Sequence, residues 1–208
     1  MDLRTLDNHD PRIRYVALML EGELSGVEEI PLPPGYRYAM YRPGDRDAWI
    51  AIEISARELR DRAQGLAVWE KYYGGHESEM PERMCFIENA QREKIATATA
   101  YYDVSGRDAS GDAWLHWVAV ARPEQRKGLS KPLVTHTVQI MKRLGYTKAK
   151  ISTQTTTWVA CKVYLDLGFR PCKNSGEEKA AGWRIVRRLT DHPALAEFTP
   201  AGDDEILE

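Results

Sequence analysis

The stretch from Ala113 to Gly145 constrains this chain more than any other. A-W-L-H-W-V-A-V reads as an apolar strand, a short polar loop with one glycine follows, and a helix begins directly after it. Leu129, Leu133, Ile140 and Leu144 recur at helical spacing, Val134, Val138 and Met141 accompany them, and Gly145 marks the stop. Pro132 falls early enough in that helix to be tolerated. The first N–H groups of a helix lack intrahelical partners, and its dipole favours negative charge there, so this order predicts an anion site over residues 126–131. Lys148 to Thr153 reads as a returning strand, and a strand–helix–strand unit makes its two strands parallel neighbours joined by a right-handed crossover.

The flanking segments fill out an α/β (α+β) layer with a mixed sheet. Residues 1–13 are polar, and Arg14 to Glu21 is an extended segment expected at a sheet edge. Pro31 to Gly35 breaks the chain before a strand from Tyr36 to Tyr41, and Asp45 is the expected N-cap of a helix through Ala48, Trp49, Ile52 and Ile54. Ser55-Ala-Arg-Glu58 has the form of a capping box, predicting a second helix towards Tyr73 that Gly65 weakens or interrupts. Met84–Glu88 and Ile95–Asp103 form an antiparallel hairpin, and the turn-rich segment Ser105–Asp112 leads into the central strand. Thr155 to Thr157 precede a helix ended by Gly168, and short strands are expected at Phe169–Cys172 and Trp183–Leu189. The domain reading is residues 1–34 as an N-terminal extension with an extended edge segment, 35–190 as one domain, and 191–208 as an acidic tail, docked or frayed.

Several function classes are excluded at this level. A net charge of -2 over 208 residues gives no reason to expect nucleic acid or an acidic membrane as a partner. Charge is uneven, with eight basic residues against one acidic between Arg122 and Lys150, consistent with a solvated helix face or with a polyanion anchored at the loop. Cys85, Cys161 and Cys172 lack C-x-x-C spacing, and the five histidines lack metal-ligand spacing, so no disulfide framework and no metal is expected. Val16 to Leu20 is too short for a signal or membrane segment, and a cytoplasmic location is expected. The loop is neither G-x-x-x-x-G-K-[ST] nor G-x-G-x-x-G, and no G-x-S-x-G elbow exists.

With those removed, V-A-V-A-R-P-E-Q-R-K-G-L-S, ending at Ser130, resembles the acyl-CoA signature of the GNAT acyltransferase superfamily, [RQ]-x-x-G-x-[GA] after a strand reading V-x-V. Thr157-Trp-Val-Ala-Cys-Lys-Val-Tyr164-Leu-Asp-Leu-Gly168-Phe169 resembles the second signature, N-x-x-A-x-x-L-Y-x-x-x-G-F. Two departures stand out: Ser130 replaces a Gly or Ala, and Thr157 replaces Asn, which puts that residue's usual contact with the pantetheine arm in question. The resemblance implies a mostly antiparallel sheet with a splayed parallel strand pair flanked by helices, and residues 35–190 become an acetyltransferase domain. It implies acetyl-CoA as cosubstrate, with the pyrophosphate on Arg126, Lys127, Gly128, Leu129, Ser130 and Lys131 and the pantetheine arm along Val118, Ala119 and Val120, Thr157 being carried over as a further cofactor position.

Acetyl transfer to an amine requires a base for the nitrogen and an acid for the departing thiolate. Tyr164 occupies the position the family commonly uses as general acid. His116 is the base candidate, facing with Trp114, Val118 and Val120 by the period of two and having a reference pKa near neutrality; Glu88, Asp103 or a water chain are its substitutes. His136 reads as surface or helix packing, and Cys161 as a packed thiol rather than an acyl carrier. Trp69, Tyr72 and Tyr73 with Glu77 and Glu79 form either core or an aromatic, anionic wall for a cationic amine. The expected function is direct transfer from acetyl-CoA to a primary amine of a small molecule or peptide in a ternary complex. The alternative is a non-catalytic CoA-binding sensor or complex subunit. A homodimer is compatible with either.

Overall fold

The computed structural model describes residues 5–106, 108–172 and 176–207. Arg107, within the turn-rich segment ahead of the central strand, therefore lies outside the described residues, as do residues 1–4 of the polar N-terminus and Glu208 of the tail. Among the described residues, seven strands, mostly antiparallel, and flanking helices make this a mixed α/β chain. It divides into two compact units, Leu24–Ala149 and the pair of segments Met1–Glu23 and Lys150–Glu208.

The central unit holds strands β2 (Arg37–Met40), β3 (Met84–Glu88), β4 (Lys94–Tyr101) and β5 (Ala113–Val120), antiparallel in the order β2-β3-β4-β5. Helices α1 (Arg46–Ser55), α2 (Arg62–Tyr73), the short α3 (Met80–Arg83) and α4 (Ser130–Arg143) complete it. The period of two sorts the side chains of this sheet. Cys85 pairs across to Ala98 and its Sγ lies 3.3 Å from Thr137 Oγ1 of α4, so Ala96, Ala98 and Ala100 present their small side chains to that helix. The alternate residues of the same strands, Met84, Phe86, Thr99 and Tyr101, face an aromatic core built with Trp49, Trp69 and Tyr73 of α1 and α2.

Local chemistry departs from the sequence expectation in three places here. Asp45 flanks α1 but makes no side-chain cap; its carboxylate accepts from the Arg42 N–H at 2.8 Å and pairs with Lys94 at 2.9 Å. Ser55 closes α1 rather than opening α2, whose cap is Asp61, accepting from the Gln64 N–H at 2.8 Å. Gly65 does not interrupt α2: it is buried in the first turn, where an added Cβ would lie 2.6 Å from Ile50 Cγ2, so its lack of a side chain lets α2 close on α1.

The second unit contains β1 (Ala17–Glu23), β6 (Lys148–Gln154, which begins in the central unit), α5 (Trp158–Asp166), β7 (Arg170–Pro171), α6 (Gly176–Thr190) and α7 (Asp203–Ile206). β1 is an interior strand between β6 and β7, pairing Leu20 with Pro171, and not the edge strand expected. The expected strand Trp183–Leu189 is part of α6. Gly182, Trp183, Ile185 and Val186 are its buried face, Glu177 and Glu178 sit in its first turn and Arg187 and Arg188 in its last, as the helix dipole favours. The expected strand from Phe169 to Cys172 shrinks to two residues. The acidic tail is docked: Leu195, Ala201 and Ile206 are buried, Ile13 bridges to Leu207, and Arg184 and Arg188 pair with Glu205 and Asp203.

Candidate functional site

Between β5 and α4 the chain makes a tight polar loop. The Ala121 N–H donates to Ile95 O at 2.8 Å, the Arg122 N–H to Ser55 Oγ at 3.0 Å, and Gln125 Nε2 to Val120 O at 3.0 Å, so the loop is pinned to the end of its own strand and to the end of α1. Arg126 and Gly128 then take left-handed backbone, φ 63° and 78°. Gly128 does so without strain, whereas Arg126 carries it. No side chain caps α4, whose N-cap is Leu129. Pro132 lacks an N–H, and the Leu133 N–H bonds Leu129 O at 3.0 Å, so the N–H groups of Ser130 and Lys131 open the first turn of the helix. Arg126, Lys127 and Gly128 are exposed and Leu129 is buried, anchoring the turn. Lys127 differs from the expectation in one respect: its ammonium is held by Glu124 at 2.9 Å, and Glu124 also accepts from Tyr36 Oη at 2.9 Å.

His116 sits in the middle of β5 among aromatic rings. Tyr101 stacks on it at 5.6 Å and 21°, Tyr72 meets it edge-on at 4.8 Å, and Trp117 follows at 6.3 Å. Tyr73 Oη donates to Thr99 Oγ1 at 3.2 Å and lies 3.3 Å from His116 Nδ1. With its single proton directed at Thr99, the Tyr73 oxygen accepts from Nδ1–H, and the lone pair of the imidazole is then on Nε2. Burial disfavours the imidazolium and lowers the His116 pKa to about 4, against a smaller upward pull from Asp103. That value lies well below the near-neutral one expected from sequence, and His116 is neutral at physiological pH.

The strand carrying His116 is bulged. Thr99 pairs with His116 but Thr97 pairs with Ala119, so β5 has one residue more than β4 here, and Trp117 at the bulge has φ 48°. The extra residue shifts the alternation, so Ala119, which joins the aromatic core, shares the face of His116 in place of the expected Val118 and Val120. Val118 is half-buried and Val120 buried.

The other sequence candidates are accounted for within their own surroundings. Glu88 accepts from Arg37 Nε at 2.7 Å with Lys94 3.8 Å away, an ion-paired strand end. Asp103 accepts from the Ser105 N–H at 2.9 Å and the Asp108 N–H at 2.7 Å, holding its loop. Glu77 accepts from Tyr41 Oη, and Glu79 from Tyr102 Oη at 2.8 Å and Arg83 Nε at 3.0 Å. Trp69 and Tyr73 are core, while Tyr72 is half-buried. His136 stacks on Tyr38 at 3.7 Å, pairs with Glu29 at 2.6 Å and serves packing. In the second unit Tyr164 is buried on α5, and the Thr157 hydroxyl donates to Gln154 O at 3.1 Å within the turn before that helix. Cys161 is fully buried and its thiol is pushed up to about 12, which makes it a poor nucleophile. Sequence reasoning missed Glu53, fully buried on α1 with both carboxyl oxygens unpartnered among the described residues; its signal was an acid one turn after Trp49 on an apolar face.

Residues 48–169, more than half of the chain, match the model of the acetyltransferase (GNAT) family. The chain belongs to that family. Solved structures show the same fold at low identity. A GCN5-related N-acetyltransferase from Sphaerobacter thermophilus aligns at TM-score 0.61 and 17% identity, covering 77% of this chain and 49% of that one. A GNAT-family acetyltransferase from Colwellia psychrerythraea gives 0.55 and 15%, covering 76% and 54%, and a GCN5-related N-acetyltransferase from Kribbella flavida 0.51 and 18%, covering 76% and 56%. The chain thus spans about half the length of these structures. No curated protein sequence matches it. Among the described residues, no helix is long and apolar enough to cross a membrane, and no group of three or more His, Cys, Asp or Glu is arranged to hold a metal ion.

Proposed function

We propose that this GNAT-family chain transfers an acetyl group from acetyl-CoA directly to a primary amine of a small molecule or peptide within a ternary complex. The observation that carries the reading is the loop before α4, with left-handed Arg126 and Gly128 leading into an uncapped helix start, inside the region that matches the family model. The residues fit a CoA pyrophosphate: exposed backbone at Arg126 to Gly128, first-turn N–H groups at Ser130 and Lys131, and guanidinium and ammonium charge from Arg126 and Lys131. In this reading Val118, Ala119 and Val120 take the pantetheine amides through strand backbone. Lys127, in an exposed pair with Glu124, adds its ammonium beside the same loop. Thr157, whose hydroxyl donates to Gln154 O, remains the carried-over cofactor position at the start of α5.

His116 serves as base through Nε2. An alkylammonium, with pKa about 10.4, cannot yield its proton to a group near 4 without roughly 9 kcal/mol of opposing free energy, so the amine enters unprotonated. As its nitrogen attacks the thioester carbon, the nitrogen becomes acidic, and His116 takes the proton shed when the new C–N bond forms. Tyr164 gives a proton to the sulfur as the C–S bond breaks, and exchange with solvent restores both side chains.

The test is free-thiol release from acetyl-CoA across a panel of amines, with the thermal shift caused by acetyl-CoA as a separate readout of binding. Thiol release together with a shift is expected, and Tyr164→Phe should lower kcat while preserving the shift. A shift without release by any amine would overturn the catalytic reading in favour of a CoA-binding module; no shift would overturn the cosubstrate.

A further inference from the structure

We infer that Glu124 is an affinity-setting carboxylate of the cofactor site, held beside the phosphate loop by Tyr36 so that it competes with bound phosphate for Lys127 and limits retention of the product CoA. This rests on the acetyltransferase reading of the loop before α4. Between Arg122 and Lys150, Glu124 is the one acid among eight basic residues, and it stands at the loop itself. Its Oε2 accepts from both Lys127 Nζ and Tyr36 Oη, each at 2.9 Å. The Lys127 ammonium draws the Glu124 carboxyl below its ordinary range, against a smaller rise from burial, and the Tyr36 phenol adds to the lowering. The group is therefore an anion at neutral pH.

Tyr36 is itself fixed, because residues 27–36 are fastened along α4. The Ile30 N–H donates to Thr135 Oγ1 at 3.0 Å, Gln139 Nε2 and Lys142 Nζ donate to Val27 O at 3.0 and 2.8 Å, and Glu29 pairs with His136 at 2.6 Å. Pro33 lies against the loop, 4.0 Å from where a Cβ on Gly128 would stand. A segment 88 residues earlier in the chain thus brings a phenol to the loop and pins a negative charge there. When a CoA phosphate takes Lys127, the ion pair with Glu124 is given up, and the carboxylate kept in place by Tyr36 repels the phosphate. Both effects subtract from the attraction of Arg126, Lys127 and Lys131, and neither acts on the uncharged pantetheine arm.

Glu124→Gln tests this, because its amide oxygen still accepts from Tyr36 while the charge is gone. Calorimetric titration with CoA should give a Kd about three- to tenfold below that of the wild type at low salt, with the gain shrinking at high salt. Product inhibition by CoA, followed through loss of thioester absorbance, should deepen in step. Binding of pantetheine, which carries no phosphate, should not change. Tyr36→Phe, which lets the carboxylate turn away from the phosphate, should reproduce part of the gain, and in a Lys127→Met background the effect of Glu124→Gln should shrink. Unchanged or weaker CoA binding by Glu124→Gln, or an equal gain for pantetheine, would overturn the inference. A wild type that binds CoA but acetylates no amine fails the catalytic reading while the titrations still decide the role of Glu124. Binding of neither CoA nor inorganic pyrophosphate would overturn the cosubstrate and this inference together.

Discussion

At His116 the residue type and its surroundings pull in different directions. The imidazole offers a lone pair on Nε2, but the rings of Tyr72, Tyr101 and Trp117 replace the water that would stabilise its cation. Only the neutral form accepts a proton, and with a pKa of about 4 that form persists as pH falls through the range in which an ordinary histidine is lost. Activity expressed per unprotonated amine should therefore stay flat from pH 8 to about 5 and decline only below that. His116→Ala should lower kcat by about 10²-fold or more and abolish the acidic decline, with the acetyl-CoA thermal shift retained. A pH-rate profile of both proteins checks this, and a wild-type decline centred near pH 6.5 would contradict it. The candidacy of His116 was legible from its place on an apolar strand ahead of the loop. Its pKa was not, because Tyr72 and Tyr73 come from a helix some forty residues earlier in the chain.

Among the elements, those with one dominant local signal were readable and those with competing signals were not. β5, its loop and α4 announce themselves by an apolar run, a polar break and a helical period that agree with one another. The capping-box pattern at Ser55 points to the wrong start for α2, because the Ser55 hydroxyl is taken by the distant Arg122 N–H while Asp61 does the capping. The sequence reads α6 as a strand because Trp183 and Ile185 alternate; the helix packs closely at Gly182, where a Cβ would come within 2.7 Å of Val16 Cγ1. The bulge in β5 left no mark in the apolar pattern. Gly65 yields an element-scale prediction by the same logic. Gly65→Ala improves helix propensity by up to about 1 kcal/mol but drives a Cβ to 2.6 Å from Ile50 Cγ2, an overpacking cost of about 1–3 kcal/mol. Net destabilisation is expected in urea unfolding, and Ile50→Ala should relieve part of it, giving a favourable coupling in the double-mutant cycle. Additive effects would show that α1 and α2 yield without strain.

For the whole molecule, two buried ionisable groups leave opposing marks on stability against pH. The fold class followed from element order, but no sequence pattern reports that an acid on α1 ends with neither oxygen partnered. Glu53 is fully buried, and burial holds its carboxyl well above the usual 4.5, so from about pH 4.5 upward the folded chain keeps a proton that the unfolded chain releases. Stability from this group is complete below 4.5 and is lost as pH rises towards its folded pKa, at up to about 1.4 kcal/mol per pH unit. His116 acts in the other sense: with its pKa lowered from 6.5 to about 4, its contribution is complete above 6.5 and is lost as pH falls through 4. Between about 4.5 and 6.5 the two slopes oppose each other, and above 6.5 only that of Glu53 remains. Glu53→Gln removes this slope while keeping the shape of the side chain. Its amide brings a desolvation cost of its own, but that cost does not vary with pH, so the test is the slope and not the offset. Unfolding free energies measured from pH 5 upward should show the variant gaining on the wild type as pH rises towards the folded pKa of Glu53. A constant difference across that range would mean that Glu53 ionises in the folded protein as freely as in the unfolded chain, and that the Trp49 face of α1 is wetter than its burial implies.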